Sequence, residues 1–303
     1  MDTIELIQRA KYLSDTPLLN ESDLSSEVDD KLTKDYWGKC LNDAQNEIQN
    51  ILLEAAQDYF VNTKNVSISV GTQEYDLPLD AIQVRAIERI DNNYGTYNLY
   101  PITINDRNLL STDIKSIYPI LSPRLTYFWG MKFGIVDYQT SGTVKVLYVK
   151  RLPKIMYATL DSFTSTTLVW PETPTIGKID DRDDYYNGAI VRIVSATTGA
   201  GQRLNVTDYD ASTRTMTVEE PSTALSGTVV AEIVCEIPEN HHLVLACWMA
   251  MDAYVTNGME IPDSLKDKYI NSRDAMLRSF IPRQSLASRH VARPYTDAWR
   301  WIS

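Results

Sequence analysis

The spacing of apolar residues changes abruptly near residue 62, and this change restricts the folds open to the chain. Over about residues 31–61 apolar side chains recur at three- and four-residue steps, which predicts one long amphipathic helix. Beyond it, Val66–Val70 alternates apolar with polar residues and ends at Gly71, a pattern typical of a half-buried strand. The chain must therefore pack helices and sheet together.

The middle of the sequence predicts many strands in two differently composed regions. The first region has strand candidates at 72–78, 81–90, 98–104, 125–137 and 143–150, and a long loop at 106–124. From about 157 to 233 the chain becomes rich in Thr, Ser, Val and Gly. The strand candidates there are short, at 166–170, 189–195, 203–209, 213–219 and 228–234. This second region predicts a small all-β module inserted into a host domain.

Helices are predicted at both ends of the chain. A short helix covers 3–13, and a hairpin of helices runs from Pro238 to 257 and from 263 to 281, where Pro282 ends it. The apolar stripes of these helices have no partner nearby in sequence, so we expect them to bury against one another. The expected fold class is therefore α+β: a helical bundle from both chain ends, a central antiparallel β-domain and an inserted small all-β module.

Five regions follow from this interpretation. They are N-terminal helices of the core at 1–65, a β-domain at 66–156, the inserted β-module at 157–233, a C-terminal helical hairpin at 234–282 and an extended tail at 283–303.

Charge is unevenly distributed along the 303 residues, whose formal net charge is −11. Residues 1–60 carry 13 acidic and 5 basic side chains, whereas residues 281–303 carry four Arg and one Asp. Such an acidic chain is not a generic nucleic-acid binder, and its basic tail suits an acidic surface. No stretch approaches the ~18 apolar residues of a membrane span, and the N-terminus does not resemble a signal peptide.

The residues that could carry chemistry do not form a known constellation, so we expect no catalytic, cofactor or metal site. The adjacent His241 and His242 point to different faces of a helix and cannot chelate one ion well. Asp180–Asp184 lacks the spacing of a calcium loop, and Gly199-Ala-Gly201 lacks the helix of a phosphate site. The three cysteines are scattered, which predicts buried free thiols and folding in a reducing compartment.

Aromatic residues are numerous and allow two interpretations. Those of the central strands either pack within the sheet or contact another protein, because interfaces are enriched in Tyr, Trp and Arg. In the tail, Pro282 and Pro294 prevent one continuous helix. The tail's Arg and aromatic residues then either dock on a neighbouring protein or fold back on their own domain.

Several segments, taken in order, resemble the head-to-tail adaptor (connector) proteins of tailed bacteriophages, the tail tubular protein A or gatekeeper type. After the N-terminal helices, Gln73-Glu-Tyr-Asp-Leu-Pro78 resembles the strand that opens the family's β-domain, and Val144-Lys-Val-Leu-Tyr-Val-Lys-Arg-Leu-Pro153 its closing strand. Ile237-Pro-Glu-Asn-His-His-Leu243 and the hairpin after it resemble the terminal helices. The segment 185–218 is similar to a β-module of several phage structural proteins, whereas 14–30 and 106–124 match no part of the family.

The resemblance implies a non-enzymatic ring subunit. Such adaptors form a dodecamer under the portal protein, extend the channel through which genomic DNA passes without sequence-specific binding, and hold the tail tube or nozzle protein. They are made in the host bacterial cytoplasm and lie in the virion neck, without contact to a membrane. Two competing hypotheses are a receptor- or carbohydrate-binding tail component and a hydrolase with an unrecognised site.

We expect two groups of residues to serve the implied contacts. The expected portal-docking residues lie in the tail and are Arg283, Arg289, Arg293, Tyr295, Trp299, Arg300 and Trp301. The expected tail-facing residues lie in predicted hairpins and are Tyr94, Tyr97, Tyr127 and Trp129.

Overall fold

Two sheets of seven strands each dominate the structure, a computed structural model that describes residues 1–14, 32–55, 59–91, 95–104, 125–136 and 141–280. The first sheet has the order β1-β7-β3-β4-β5-β6-β2. Its pairs are antiparallel except β4 with β5, which run parallel. The strands are β1 (Val61–Ile68), β2 (Glu74–Asp76), β3 (Ala81–Asp91), β4 (Gly95–Ile102), β5 (Leu125–Trp129), β6 (Lys132–Ile135) and β7 (Gly142–Lys150).

The second sheet is antiparallel throughout and has the order β8-β14-β11-β12-β13-β10-β9. The second sheet has a hydrophobic core of its own, in which Trp170, Tyr186 and Tyr209 are fully buried. The rings of Tyr186 and Tyr209 meet edge to face, with 4.9 Å between their centroids. The strands are β8 (Tyr157–Thr159), β9 (Ser162–Phe163), β10 (Thr167–Val169), β11 (Ile190–Ser195), β12 (Arg203–Asp210), β13 (Thr215–Val218) and β14 (Val230–Ile233).

Four α-helices occur among the described residues: α1 (Thr3–Leu13), α2 (Lys34–Ala55), α3 (His242–Thr256) and α4 (Asp263–Phe280). Helix α3 is apolar on most of its surface, because α1, α2 and α4 all pack against it. A short 3₁₀ turn, Glu239–His241, leads into α3.

The expected fold class is wrong, because the structure is mostly β and the helices do not form a bundle from both chain ends. The helices share a hydrophobic cluster, but segments between and within the sheets complete it, including Val149, Leu152, Ile155 and Ile176. The second sheet also has as many strands as the first, so it is not a small appendage. The helical stripes repeat over many turns and dominate the sequence signal, whereas strands of two to four residues carry little periodicity.

Several local expectations are confirmed with shifted ends. The strands expected at 81–90, 143–150, 189–195 and 203–209 are present within one or two residues. Helix α2 is described as far as Ala55, and residues 59–60 already form a turn before β1 begins at Val61, so the helix predicted to reach 61 is too long. The single strand expected at 125–137 is a hairpin of β5 and β6. The predicted loop at 106–124 and the tail from 283 both lie wholly outside the described residues.

Candidate interaction surface

Exposed apolar side chains gather around the β5–β6 hairpin of the first sheet. Trp129 is 62 % exposed at the end of β5, and Met131 follows it in the turn. Leu79 and Ile82, from the neighbouring β2–β3 connection and the start of β3, are exposed as well. We use the name hairpin patch for the exposed apolar side chains on this hairpin and near it, Leu79, Ile82, Phe128, Trp129 and Met131; of these, Ile82, Phe128 and Met131 line one shallow depression.

The hairpin is held in place by its turn and by one backbone hydrogen bond. Gly130 has a φ of +58°, which a side chain would disfavour, and it starts the two-residue turn between β5 and β6. The amide of Leu77 donates to the carbonyl of Met131 at 2.9 Å, so the turn is fastened to the chain beyond β2. The hairpin patch is therefore displayed by ordered backbone.

The structure separates the expected tail-facing aromatics. Trp129 lies in the hairpin patch, whereas Tyr127 is fully buried and its hydroxyl lies 3.4 Å from Glu74 Oε1. Tyr97 is half-buried against the core of the first sheet. Tyr94 and all seven portal-docking residues lie outside the described residues. The contact roles of these residues stay predictions. Among the described tail-facing residues, Trp129 is the one whose side chain is exposed.

A row of buried amides on α2 was missed by sequence reasoning. Gln45 donates from Nε2 to the carbonyl of Pro153 at 2.9 Å, and Gln49 donates to that of Lys150 at 2.7 Å. Asn42 accepts from the amide of Ile155 at 2.8 Å through Oδ1. The signal was the spacing of three amide residues, at 42, 45 and 49, which places them on one helix face beside the apolar stripe.

Asp180 is a buried carboxylate held between two cations. Arg182 Nε donates to its Oδ1 at 2.7 Å, and Lys154 Nζ donates to its Oδ2 at 2.8 Å. Its backbone is fixed as well, because the amide donates to the Tyr186 hydroxyl and the carbonyl accepts from the Tyr209 hydroxyl. The acidic segment Asp180–Asp184 therefore begins with a buried, ion-paired carboxylate.

The charge of Asp180 is stabilised despite its burial. Burial by itself raises the pKa of the carboxyl group, but the hydrogen bonds and charges of Arg182 and Lys154 outweigh it and lower the pKa to about 2. The side chain is 7 % exposed, so the group is ionised in a mostly dry environment at neutral pH.

A second buried carboxylate joins the N-terminal helix to the second sheet. Glu232 in β14 pairs with Arg192 in β11, and its Oε2 accepts from the amide of Thr3 at 2.9 Å. That amide lies in the first turn of α1, where free backbone N–H groups and the helix dipole favour a negative charge. Glu232 therefore acts as a cap for α1 from another layer of the molecule.

The histidines and cysteines have structural surroundings. His242 is buried, its Nε2 lies 2.8 Å from the carbonyl of Ile237, and burial lowers its pKa. His241 Nε2 lies 2.8 Å from the hydroxyl of Ser279, which links the start of α3 to the end of α4. All three cysteines are buried and free. Within the described part of the chain no group of three or more His, Cys, Asp or Glu could hold a metal ion.

Exposed apolar side chains on an ordered hairpin are typical of a protein that contacts partners. The SU10 adaptor protein family model matches residues 1–193, more than half of the sequence, so the chain belongs to that family. This membership confirms the resemblance to phage head-to-tail adaptors and makes the chain a structural protein of the virion neck. No curated protein matches the sequence. Among the described helices, none has the length and apolar character needed to cross a membrane.

Proposed function

We propose that this chain is the subunit of a dodecameric head-to-tail adaptor ring. In this role it binds the portal, extends the DNA channel and provides the attachment surface for the tail tube or nozzle protein. The observation that carries the proposal is its membership of the SU10 adaptor protein family. The protein acts without catalysis, and it is made in the host bacterial cytoplasm before it joins the particle.

The hairpin patch is our candidate for the surface that meets the tail. Its exposed Trp129 belongs to a residue type that supplies much of the binding energy at protein interfaces, and Phe128 to a type that is enriched there. An apolar cluster on an ordered hairpin pays little conformational entropy on binding, because its backbone is already fixed.

The C-terminal segment 283–303 is our candidate for the portal contact. It combines four Arg with Trp299 and Trp301, and its net charge of +3 stands out in an acidic protein. In extended form its 21 residues could span tens of ångströms, at roughly 3.3 Å per residue. Such a segment can reach a neighbouring ring and anchor there through its Trp and Arg side chains.

The acidic charge of the protein supports passage of DNA through the ring. A net charge of −11 repels phosphate groups, so DNA can slide past the subunits without sequence-specific contacts.

The alternative role in carbohydrate or receptor binding has less support. Sugar-binding platforms commonly stack the sugar on an exposed aromatic ring, and the Tyr and Asp residues of the second sheet are the feature that would favour such a role. Residues 157–233 are all described, and their large hydrophobic side chains are buried or partly buried rather than exposed. Three of the six aromatic residues in this range, Trp170, Tyr186 and Tyr209, are fully buried in the core of the second sheet.

Truncation after Pro282 tests the portal contact. We expect the truncated protein to fold with unchanged helical circular dichroism but to fail to join portal-bearing capsids, because its anchor is missing. Cosedimentation with purified capsids and DNA retention measure the loss. If the truncated protein assembles and retains DNA as well as the full chain, the portal role of the tail is wrong.

Trp129→Ala tests the tail contact separately. This variant should assemble on the portal normally and reduce attachment of the tail component by about tenfold or more, the effect of losing an interface hot spot. Tyr12→Ala is the matched control, because Tyr12 is an exposed aromatic on α1, remote in sequence from the hairpin patch. Equal attachment by the two variants would remove the hairpin patch from the tail interface.

A further inference from the structure

A cleft of about 990 Å³ lies between α2 and the second sheet. On one side the exposed outer row of α2 lines it, with Lys39, Asn46 and Asn50. On the other side it is lined by the segment after β7 and by the loops around residues 172–178 and 182–185. We call it the basic cleft.

Positive charge predominates in the basic cleft, although the protein as a whole is acidic. Three acidic residues line it, Asp35, Asp43 and Glu172. Five basic residues line it: Lys39, Arg151, Lys154, Lys178 and Arg182.

Part of this positive charge is not matched by a described carboxylate. Arg151 and Lys178 are exposed and make no ion pair with any described residue. Lys154 and Arg182 share the single carboxylate of Asp180, and their side chains remain 42 % and 48 % exposed. Two cations on one carboxylate leave one unit of positive charge uncompensated at that wall.

The walls of the basic cleft are held rigidly. The buried amides of Gln45 and Gln49 fasten α2 to the carbonyls of Pro153 and Lys150, which fixes the segment that carries Arg151. The guanidinium of Arg182 stacks over the ring of Tyr185 with 4.6 Å to the centroid. A preorganised cationic site of this kind loses little entropy when it binds an anion.

We propose that the basic cleft binds an extended, acidic peptide segment of a partner protein. The cationic walls complement carboxylates, and the side-chain amides of Asn46 and Asn50 offer both donors and acceptors. A peptide backbone can use both kinds of group, whereas a phosphate backbone lacks N–H donors. This contact is additional to the proposed portal and tail contacts, since it uses neither the C-terminal segment nor the hairpin patch.

Binding of an acidic probe to the purified full-length protein tests this proposal. The probe is a fluorescein-labelled, glutamate-rich peptide, compared with the same peptide carrying Gln in place of every Glu. We expect the glutamate peptide to bind measurably in fluorescence anisotropy, and its affinity to fall as salt is added, because surface charge pairs are screened. The glutamine peptide should bind at least about tenfold more weakly, given the size of close charge-pair couplings.

Two charge-reversal variants locate the binding. Arg151→Glu with Lys178→Glu should weaken the glutamate peptide about tenfold or more. Lys64→Glu with Arg278→Glu changes the net charge equally at exposed sites outside the basic cleft and should leave the affinity nearly unchanged. Circular dichroism confirms that both variants are folded before binding is compared.

Each outcome decides the proposal. Absence of binding by the wild-type protein, or equal weakening in the two variants, would overturn it. If a single-stranded oligonucleotide binds as tightly as the peptide and is displaced by the same cleft variant, the site is a general anion site and the assignment to a peptide is wrong. These measurements use isolated protein, so they are independent of whether portal or tail assembly fails.

Discussion

Tyr127 and Gly134 face each other across β5 and β6, and their contact shows how one residue fixes the hairpin. A Cβ added to Gly134 would lie 1.9 Å from Cζ of the Tyr127 ring, so the buried ring occupies the space that any larger residue needs. An aromatic ring laid over a strand glycine covers its exposed backbone and pins the register. The sequence signals an aromatic hairpin but does not reveal which ring turns inward.

Gly134→Ala should therefore destabilise the protein by about 1–3 kcal/mol, as overpacking of a buried site does. Urea unfolding followed by circular dichroism measures the change. Gly142→Ala is the matched control, because Gly142 begins β7 and its nearest neighbours lie at an ordinary contact distance of 3.9–4.0 Å. The control should stay within about 0.5 kcal/mol of wild type. Similar losses in both variants would contradict the packing of Tyr127 on Gly134.

Asp180→Asn should remove a pH-dependent part of the stability. The folded pKa of Asp180, about 2, lies below the ordinary value of about 4, so ionisation favours the folded state. This contribution is complete above about pH 4 and is lost as the pH falls towards 2. We expect the variant to lose about 1–2 kcal/mol at pH 7, less than the full shift implies because both cations are partly solvated.

The difference between wild type and Asp180→Asn, measured by urea unfolding, should shrink as the pH is lowered from 4. Asp181→Asn serves as control, since Asp181 is exposed and joins no ion pair with a described residue. A stability difference that is the same at pH 7 and pH 3 would show that Asp180 does not act through its charge.

At the scale of elements, the sequence predicts the apolar face of α2 well and its amide-bearing face poorly. Its apolar stripe predicted burial correctly, and Trp37, Leu41 and Ile48 all lie in the helical cluster. Its amide residues at 42, 45 and 49 do have helical spacing, but Gln and Asn are ordinarily exposed, so the spacing alone predicts neither their burial nor their partners. Gly38, a weak point for a helix, allows α2 to approach Gly177, whose amide nitrogen would lie 2.7 Å from an added Cβ.

Gln49→Leu should cost about 1–3 kcal/mol, since it leaves the carbonyl of Lys150 without the Gln49 donor in a nearly dry position. Thermal unfolding measures the loss. Asn46→Ala on the exposed row of the same helix should change stability little, because Ala has the higher helix propensity and no buried bond is lost. If the two variants melt at the same temperature, the amide row does not fasten α2 to the segment after β7.

At the scale of the whole molecule, local periodicity identified most elements but not their arrangement. The strands at 157–233 were recognised as a group by composition, whereas their closure into a sheet equal to the first depends on pairings between distant segments, such as β8 with β14. The hydrogen bond from the amide of Thr3 to Glu232 joins residues 229 positions apart, and no local sequence pattern predicts a contact at that separation. The sequence also could not show that the exposed aromatics concentrate on the first sheet.

The separate core of the second sheet supports the prediction that residues 157–233 can be deleted without unfolding the rest. Tyr157 and Glu232 are partners in the β8–β14 pair, so the two ends of the deletion are adjacent and a short Gly-Ser linker can join them. Several contacts would be lost with the sheet, including the cap that Glu232 gives to α1, the ion pair of Asp180 with Lys154 and the packing of Ile176 in the helical cluster. We therefore expect the helical circular dichroism to persist while the melting temperature falls.

Glu232→Gln in the full chain measures how much of the fall in melting temperature comes from losing the cap of α1 rather than from losing the second sheet. This variant keeps the sheet and a hydrogen-bond acceptor but removes the charge at the first turn of α1 and leaves Arg192 without its carboxylate partner. It should account for part of the fall in melting temperature, since breaking a buried pair by removing one partner is costly. If the deletion instead abolishes the helical signal, the second sheet is required for the helices to fold, and the two sheets must be regarded as one cooperative unit.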